Sequence, residues 1–141
     1  EAIHKKEYVD NEAYVSIINE QHFNRLTSLV EKDKIYYGGN FDLKNLVISP
    51  TILHGITFND KVMEDEIFGP ILPVIEFENI NEVIQEVKMR PKPLSLYIFT
   101  KNNRVREQIL NEVSFGGATV NDTILHISNP HLPLVVLGLV V

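Results

Sequence analysis

The apolar positions of this chain repeat with two different periods. Phe23, Leu26, Leu29 and Val30 recur at helical spacing, and Asn19 stands where an N-cap belongs. Ile18 and Phe23 flank that cap as a hydrophobic staple would. The pattern predicts a helix from about Asn19 to about Lys32. Lys34 to Tyr37 is short and β-prone, and Gly38-Gly39-Asn40 signals a turn. Asn45 to Leu53 is rich in Val, Ile and Thr, but Pro50 argues for an edge position or a break. Phe58 to Glu66 has no clear period and reads as loop.

The second half is more regular. Leu72 to Phe77 predicts a strand. Ile80, Val83, Ile84 and Val87 then fall at i, i+3, i+4 and i+7, with Asn81 as cap and Pro91 and Pro93 ending the helix. Leu94 to Thr100 is a nearly continuous apolar strand. Val105, Ile109 and Val113 mark a further helix, opened by Asn102 or Asn103 and closed by Gly116-Gly117. Ala118 to Val120 begins the next strand. Apolar strands alternating with amphipathic helices predict an α/β fold, a parallel sheet with helices on both faces and right-handed crossovers.

Composition narrows the classes. The 141 residues, 44% of them hydrophobic, suffice for one ordinary globular domain. A net charge of -6, with the charges mixed along the chain, lacks the basic face of a nucleic-acid binder. There is no cysteine, so neither a disulfide nor a cysteine nucleophile is available. His4, His22, His54, His126 and His131 form no metal-ligand pattern, and no Ser-His-Asp spacing stands out. The polar start, Glu1 to Asp10, has no signal pattern. The longest apolar run, Leu132 to Val141, is well short of the roughly 20 residues of a membrane helix. These features set the expectation of a cytoplasmic chain without a membrane span.

One loop carries candidate chemistry. Glu66-Ile67-Phe68-Gly69-Pro70 precedes the first strand of the regular half. A carboxylate can accept hydrogen bonds from two vicinal ribose hydroxyls, and an aromatic ring can cover a flat heterocycle. Gly69-Pro70 would fix the turn that presents them. On spacing alone, an acidic loop with one buried Phe is the commoner meaning of such a segment.

Glu64-Asp65-Glu66-Ile67-Phe68-Gly69-Pro70 also resembles the glutamate-phenylalanine-glycine-proline signature of the aldehyde dehydrogenase family. Further segments resemble that family in the right order: Ser49-Pro50-Thr51-Ile52-Leu53, Lys92-Pro93-Leu94-Ser95-Leu96-Tyr97-Ile98-Phe99, Gly116-Gly117-Ala118-Thr119-Val120-Asn121-Asp122, and Ser128-Asn129-Pro130-His131-Leu132-Pro133. The likeness runs from about Tyr14 to Pro133, and the Lys-Pro-Leu and Asn-Pro-His-Leu-Pro variants resemble the class 3, fatty-aldehyde-type branch. It implies that residues 1–133 are part of the family's catalytic domain.

The resemblance implies NAD- or NADP-dependent oxidation of an aldehyde to a carboxylic acid, in an intact enzyme that is a homo-oligomer. In the family a cysteine thiolate attacks the aldehyde, hydride passes to the nicotinamide, and a glutamate-activated water hydrolyses the thioester. By position, Glu66 would bind the nicotinamide-ribose hydroxyls and Phe68 would line the nicotinamide. Asn121 would support the active-site floor. His126 and His131 lie near where that branch lines its aldehyde tunnel, although an ordinary loop histidine is the commoner role. The family's nucleophile, general base and dinucleotide-binding domain lie upstream of the matching region, so no catalytic residue is assigned in this chain.

The end departs from the pattern. After Pro133 the family continues Phe-Gly-Gly-Val-Gly-Ile-Ser-Gly, whereas this chain reads Leu134-Val135-Val136-Leu137-Gly138-Leu139-Val140-Val141. Deleting one T from TTT GGT GGT GTT GGG ATT AGT GGT A gives codons for that tail. The hypothesis is a single-base deletion, and a β-strand of Val and Leu is the alternative. Resequencing the coding DNA decides between them: no restored family frame downstream sinks the deletion. Function stands between part of a dehydrogenase and an inactive fragment that only binds or associates. A separate Rossmann-like module would need a G-x-G-x-x-G after a strand, and none is present.

Overall fold

The structure is a computed structural model and describes residues 14–124. Glu1 to Ala13, His126, His131 and the tail from Leu134 to Val141 lie outside the described residues. The chain divides into two compact units, between Glu76 and Phe77.

In the first unit Asn19 is the N-cap of α1 (Glu20–Thr27), its side chain accepting from the His22 amide at 2.8 Å. The helix stops short of the expected Lys32. The hydroxyls of Thr27 and Ser28 donate back to the carbonyls of Asn24 and Arg25, and Leu29 and Val30 bond three residues back. Such side-chain bonds compete with the helical ladder. Leu29 and Val30 still pack on the core. The staple does not form: Ile18 is 84% exposed, while Ile17 packs on the core and donates its N–H to Leu46 O at 2.8 Å.

Five short strands follow: β1 (Ile35–Tyr37), β2 (Phe41–Asp42), β3 (Val47–Ile48), β4 (Thr51–Leu53) and β5 (Ile71–Pro73). Pro50 breaks the Val- and Ile-rich segment between β3 and β4, as its missing N–H requires. β4 is central. It pairs antiparallel with β1, with a bulge between Ile35 and Tyr37, and parallel with β5, Thr51 opposite Ile71. β2 and β3 form an antiparallel pair. Their turn is held by Asp42, whose carboxylate accepts from the amide and side chain of Asn45 at 3.2 and 2.7 Å. Those bonds hold the Asp42 carboxyl below its usual range. Phe23, Leu26, Ile48, Leu53, Ile56, Val62 and Ile71 form the core of this unit.

In the second unit α2 (Ile80–Lys88) is capped by Asn79 rather than Asn81, Asn79 accepting from the Asn81 amide at 3.0 Å. Asn81 instead accepts from Gln108 of α3 (Asn103–Glu112) at 2.6 Å. Asn102 caps α3 by accepting from the amides of Arg104 and Val105. β6 (Ser95–Ile98) and β7 (Gly117–Val120) pair parallel, from Ser95 opposite Gly117 to Ile98 opposite Val120.

The fold is mixed α/β. Among the described residues β4–β5 and β6–β7 are parallel, while β1–β4 and β2–β3 are antiparallel. The antiparallel pairs were not expected from the apolar pattern. A short turn reverses the chain between β2 and β3, and residues 38–50, which carry that hairpin and no helix, return the chain antiparallel to β1. Gly38 and Gly39 have φ of 80° and 77°, and a Cβ on Gly38 would lie 2.0 Å from Pro50 O.

Candidate functional site

The candidate loop is built from both its ends. On the upstream side Asp60 precedes a 3-10 turn, Lys61–Met63, whose Val62 is buried. The Asp60 carboxylate bonds Lys34 and accepts from the Thr57 amide and hydroxyl at 2.6 and 2.9 Å. Lys34, then the Thr57 bonds, hold the Asp60 carboxyl at about 2, and the same pairing raises Lys34. On the downstream side the Thr51 amide donates to Pro70 O at 2.8 Å. The buried Thr51 hydroxyl donates to Ser49 O at 2.8 Å and accepts from the Gly39 amide at 3.0 Å. The Ser49-Pro50-Thr51 segment therefore ties the turn at Gly38-Gly39 to the start of β5.

Between those anchors the side chains alternate. Ile67 packs on the core, while Glu66 and Phe68 on either side of it are exposed. Phe68 is 74% exposed and sits at φ 48°. The alternative of a buried Phe in a plain acidic loop is thus overturned. A left-handed conformation costs a bulky residue about 1–2 kcal/mol, so the surroundings must impose it.

The surroundings are one face of α1. His22 Nε2 lies 2.8 Å from Phe68 O. Arg25 donates through one guanidinium nitrogen to Ile67 O and through Nε to His22 Nδ1 at 3.4 Å. Gly69 rests on Leu26, and a Cβ there would come within 2.6 Å of a Leu26 methyl. Residues 22, 25 and 26 share a helix face by their i, i+3, i+4 spacing. Neither His22 nor Arg25 stood out in the sequence. Their spacing on α1 was legible, but nothing local says that this face meets a loop some forty residues away.

Glu66 and Phe68 therefore share one loop of the first unit, and Asn121 belongs to the second. Asn121 follows β7 at φ 57°, a conformation Asn tolerates. Its amide donates to Ile98 O at 2.8 Å. Its side-chain oxygen accepts from the Thr100 amide at 2.8 Å, and its Nδ2 donates to Thr100 O at 3.1 Å. The carboxamide thus copies a peptide group and extends the β6–β7 pairing past its last residue. His126 and His131 lie outside the described residues. Among the described residues no group of three or more His, Asp or Glu side chains could hold a metal ion. No helix among them is long and apolar enough to cross a membrane.

Residues 5–133 match the model of the aldehyde dehydrogenase family. The chain is 47% identical over 120 residues to "Aldehyde dehydrogenase family 3 member A2" of Rattus norvegicus, covering 85% of this chain and 25% of that one. It is 42% identical over 120 residues to "Aldehyde dehydrogenase, dimeric NADP-preferring" of the same organism, covering 85% and 26%. Among solved structures, a substrate-bound Staphylococcus aureus AldH superposes with a TM-score of 0.81 at 42% identity, covering 84% of this chain and 26% of that one. The chain spans about a quarter of the length of the curated relatives it matches.

Proposed function

Because this chain belongs to the aldehyde dehydrogenase family, in its class 3 branch, we propose that residues 64–70 form the nicotinamide-ribose wall of an NAD- or NADP-dependent enzyme that oxidises an aldehyde to a carboxylic acid. The observation that carries this reading is the pose of Phe68, held at φ 48° and 74% exposed beside the exposed Glu66. An apolar ring kept in water at a conformational cost suits a surface that a ligand covers. The Glu66 carboxylate would accept hydrogen bonds from the ribose hydroxyls, and the Phe68 ring would cover one face of the nicotinamide. When bound, the dinucleotide supplies the hydride acceptor. The chain's own residues bind and orient one end of it. They fit that end only, since no glycine-rich phosphate loop is present.

The intact enzyme would be a cytoplasmic homo-oligomer with a core sheet that is parallel and covered on both faces. A dimeric, NADP-preferring relative supports the assembly and the cofactor class. By the family resemblance, Asn121 would support the active-site floor of the intact enzyme. His126 and His131 would line the aldehyde approach. Residues 134–141 would be an apolar replacement for the family's glycine-rich loop, produced by the base deletion, and the family match ending at residue 133 supports this.

Saturation-transfer NMR of the purified chain with NAD⁺ tests the wall. Transfer to the nicotinamide and its ribose is expected, and transfer to the adenine end alone would overturn the reading. A second reading, of a chain that binds but does not turn over, is favoured by the absence of cysteine. No NADH should form when the chain is given NAD⁺ and a medium-chain aldehyde. Any cysteine-independent turnover would refute that second reading.

A further inference from the structure

We propose that His22 and Arg25 are positioning residues that set the pose of Phe68 and, through it, the fit of the dinucleotide; this rests on the reading of Glu66 and Phe68 as its contacts. A carbonyl oxygen only accepts, so the His22 Nε2 that faces Phe68 O at 2.8 Å must carry a proton. Arg25 only donates, so His22 Nδ1, 3.4 Å from Arg25 Nε, must present its lone pair. One tautomer of neutral His22 satisfies both contacts. Arg25 therefore acts twice: it bonds Ile67 O itself and holds the His22 ring that bonds Phe68 O.

The two carbonyls are not an arbitrary pair. The oxygen of Ile67 lies in the peptide plane before Phe68, and the oxygen of Phe68 lies in the plane after it. Rotation of those planes about the Phe68 Cα is what φ and ψ describe. Pinning both planes fixes both angles, and with them the direction in which the ring leaves the backbone. That accounts for how a bulky residue stays at φ 48°. Gly69 adds a third contact to the same helix, seated on Leu26 with no room for a Cβ. The adjacent Glu66 shares the pinned backbone through Ile67. Residues 22, 25 and 26 of α1 are thus the seat of the loop, and its outer side is left to the ligand.

The test uses the full chain and two readouts. A strong intraresidue amide-to-Hα NOE marks positive φ at Phe68, and long-range ¹⁵N spectra report the His22 tautomer. Saturation transfer from the chain reports contact with the nicotinamide of NAD⁺. In the wild type the Nε2-protonated tautomer and the strong Phe68 NOE are expected. His22→Phe and Arg25→Met should lose the NOE and lose transfer to the nicotinamide, with the methyl shifts of Leu53 and Ile56 unchanged as a control for folding. His22→Gln keeps a side-chain N–H donor and should restore both signals. If the NOE persists in His22→Phe and Arg25→Met, or the wild-type ring carries its proton on Nδ1, the clamp is wrong. If the NOE is lost but transfer is unchanged, the clamp is only structural and the proposal falls. If the wild type shows the NOE but no transfer to nicotinamide, the cofactor reading fails, and the positioning role fails with it.

Discussion

The two units of this chain invert the usual relation between a clear sequence pattern and a filled core. The second unit has the cleaner periodicity, with α2, β6, α3 and β7 all foreshadowed by their apolar spacing. Yet its buried apolar residues are only Ile84, Ile98 and Val113 among those described, and α3 buries none. Phe99 is 67% exposed, and Leu94 and Tyr97 are exposed too. The first unit is irregular, with strands of two or three residues, but it packs Phe23, Leu26, Ile48, Leu53, Ile56, Val62 and Ile71 together. Periodicity records that a face is apolar. Burial requires a neighbour for that face, and a local pattern does not name one.

The contrast can be broken most directly at Leu26. Leu26→Ala removes a fully buried side chain and should cost about 2–5 kcal/mol. Val113→Ala, at the thinner core, should cost about 1.5 kcal/mol for the area lost. Urea unfolding of both variants checks this, and equal losses would contradict the difference between the units. Next comes Gly69→Ala. Its new methyl would press on Leu26, and overpacking of that kind costs about 1–3 kcal/mol. Thermal unfolding reads the loss, and a neutral result would mean that the loop is not seated on the core. Asn102→Ala should cost about 1 kcal/mol by uncapping α3. Helix content measured by circular dichroism on heating should fall first in that variant if the second unit relies on local structure.

The smallest effect is expected at Asp60. Its folded carboxyl sits at about 2, against about 3.9 when unfolded. A depressed folded value stabilises the fold above the unfolded one, and the benefit is lost as pH falls through about 2. Acid unfolding of Asp60→Asn should lack that limb. An unchanged acid profile would show that the Lys34 pairing does not stabilise the first unit.

The caps and breaks were the most legible features. Asn19, Asn102 and Pro50 act locally, through a side-chain acceptor or a missing N–H, so their neighbours in sequence suffice to read them. The end of α1 departs from the apolar pattern because hydroxyls at Thr27 and Ser28 outweigh the spacing of Leu29 and Val30. The motif at Glu66 and Phe68 was legible as a string, but its pose was not. Phe68 takes its conformation from His22, 46 positions away, and Ile67 is held by Arg25, 42 positions away. The antiparallel pairing of β1 with β4 was hidden for the same reason, since the turn at Gly38 is shaped by its contact with Pro50.

The carboxamide at Asn121 stands in for a missing peptide group, and that ties the sheet to a slow chemical clock. Spontaneous hydrolysis of the amide would leave a carboxylate of nearly the same size. The bond accepted from the Thr100 amide would survive, because it needs only an oxygen. The bond donated to Thr100 O would be replaced by two oxygens facing one another. An aged sample would keep its sequence length and its helices, and it would lose half of the link that closes the end of β7.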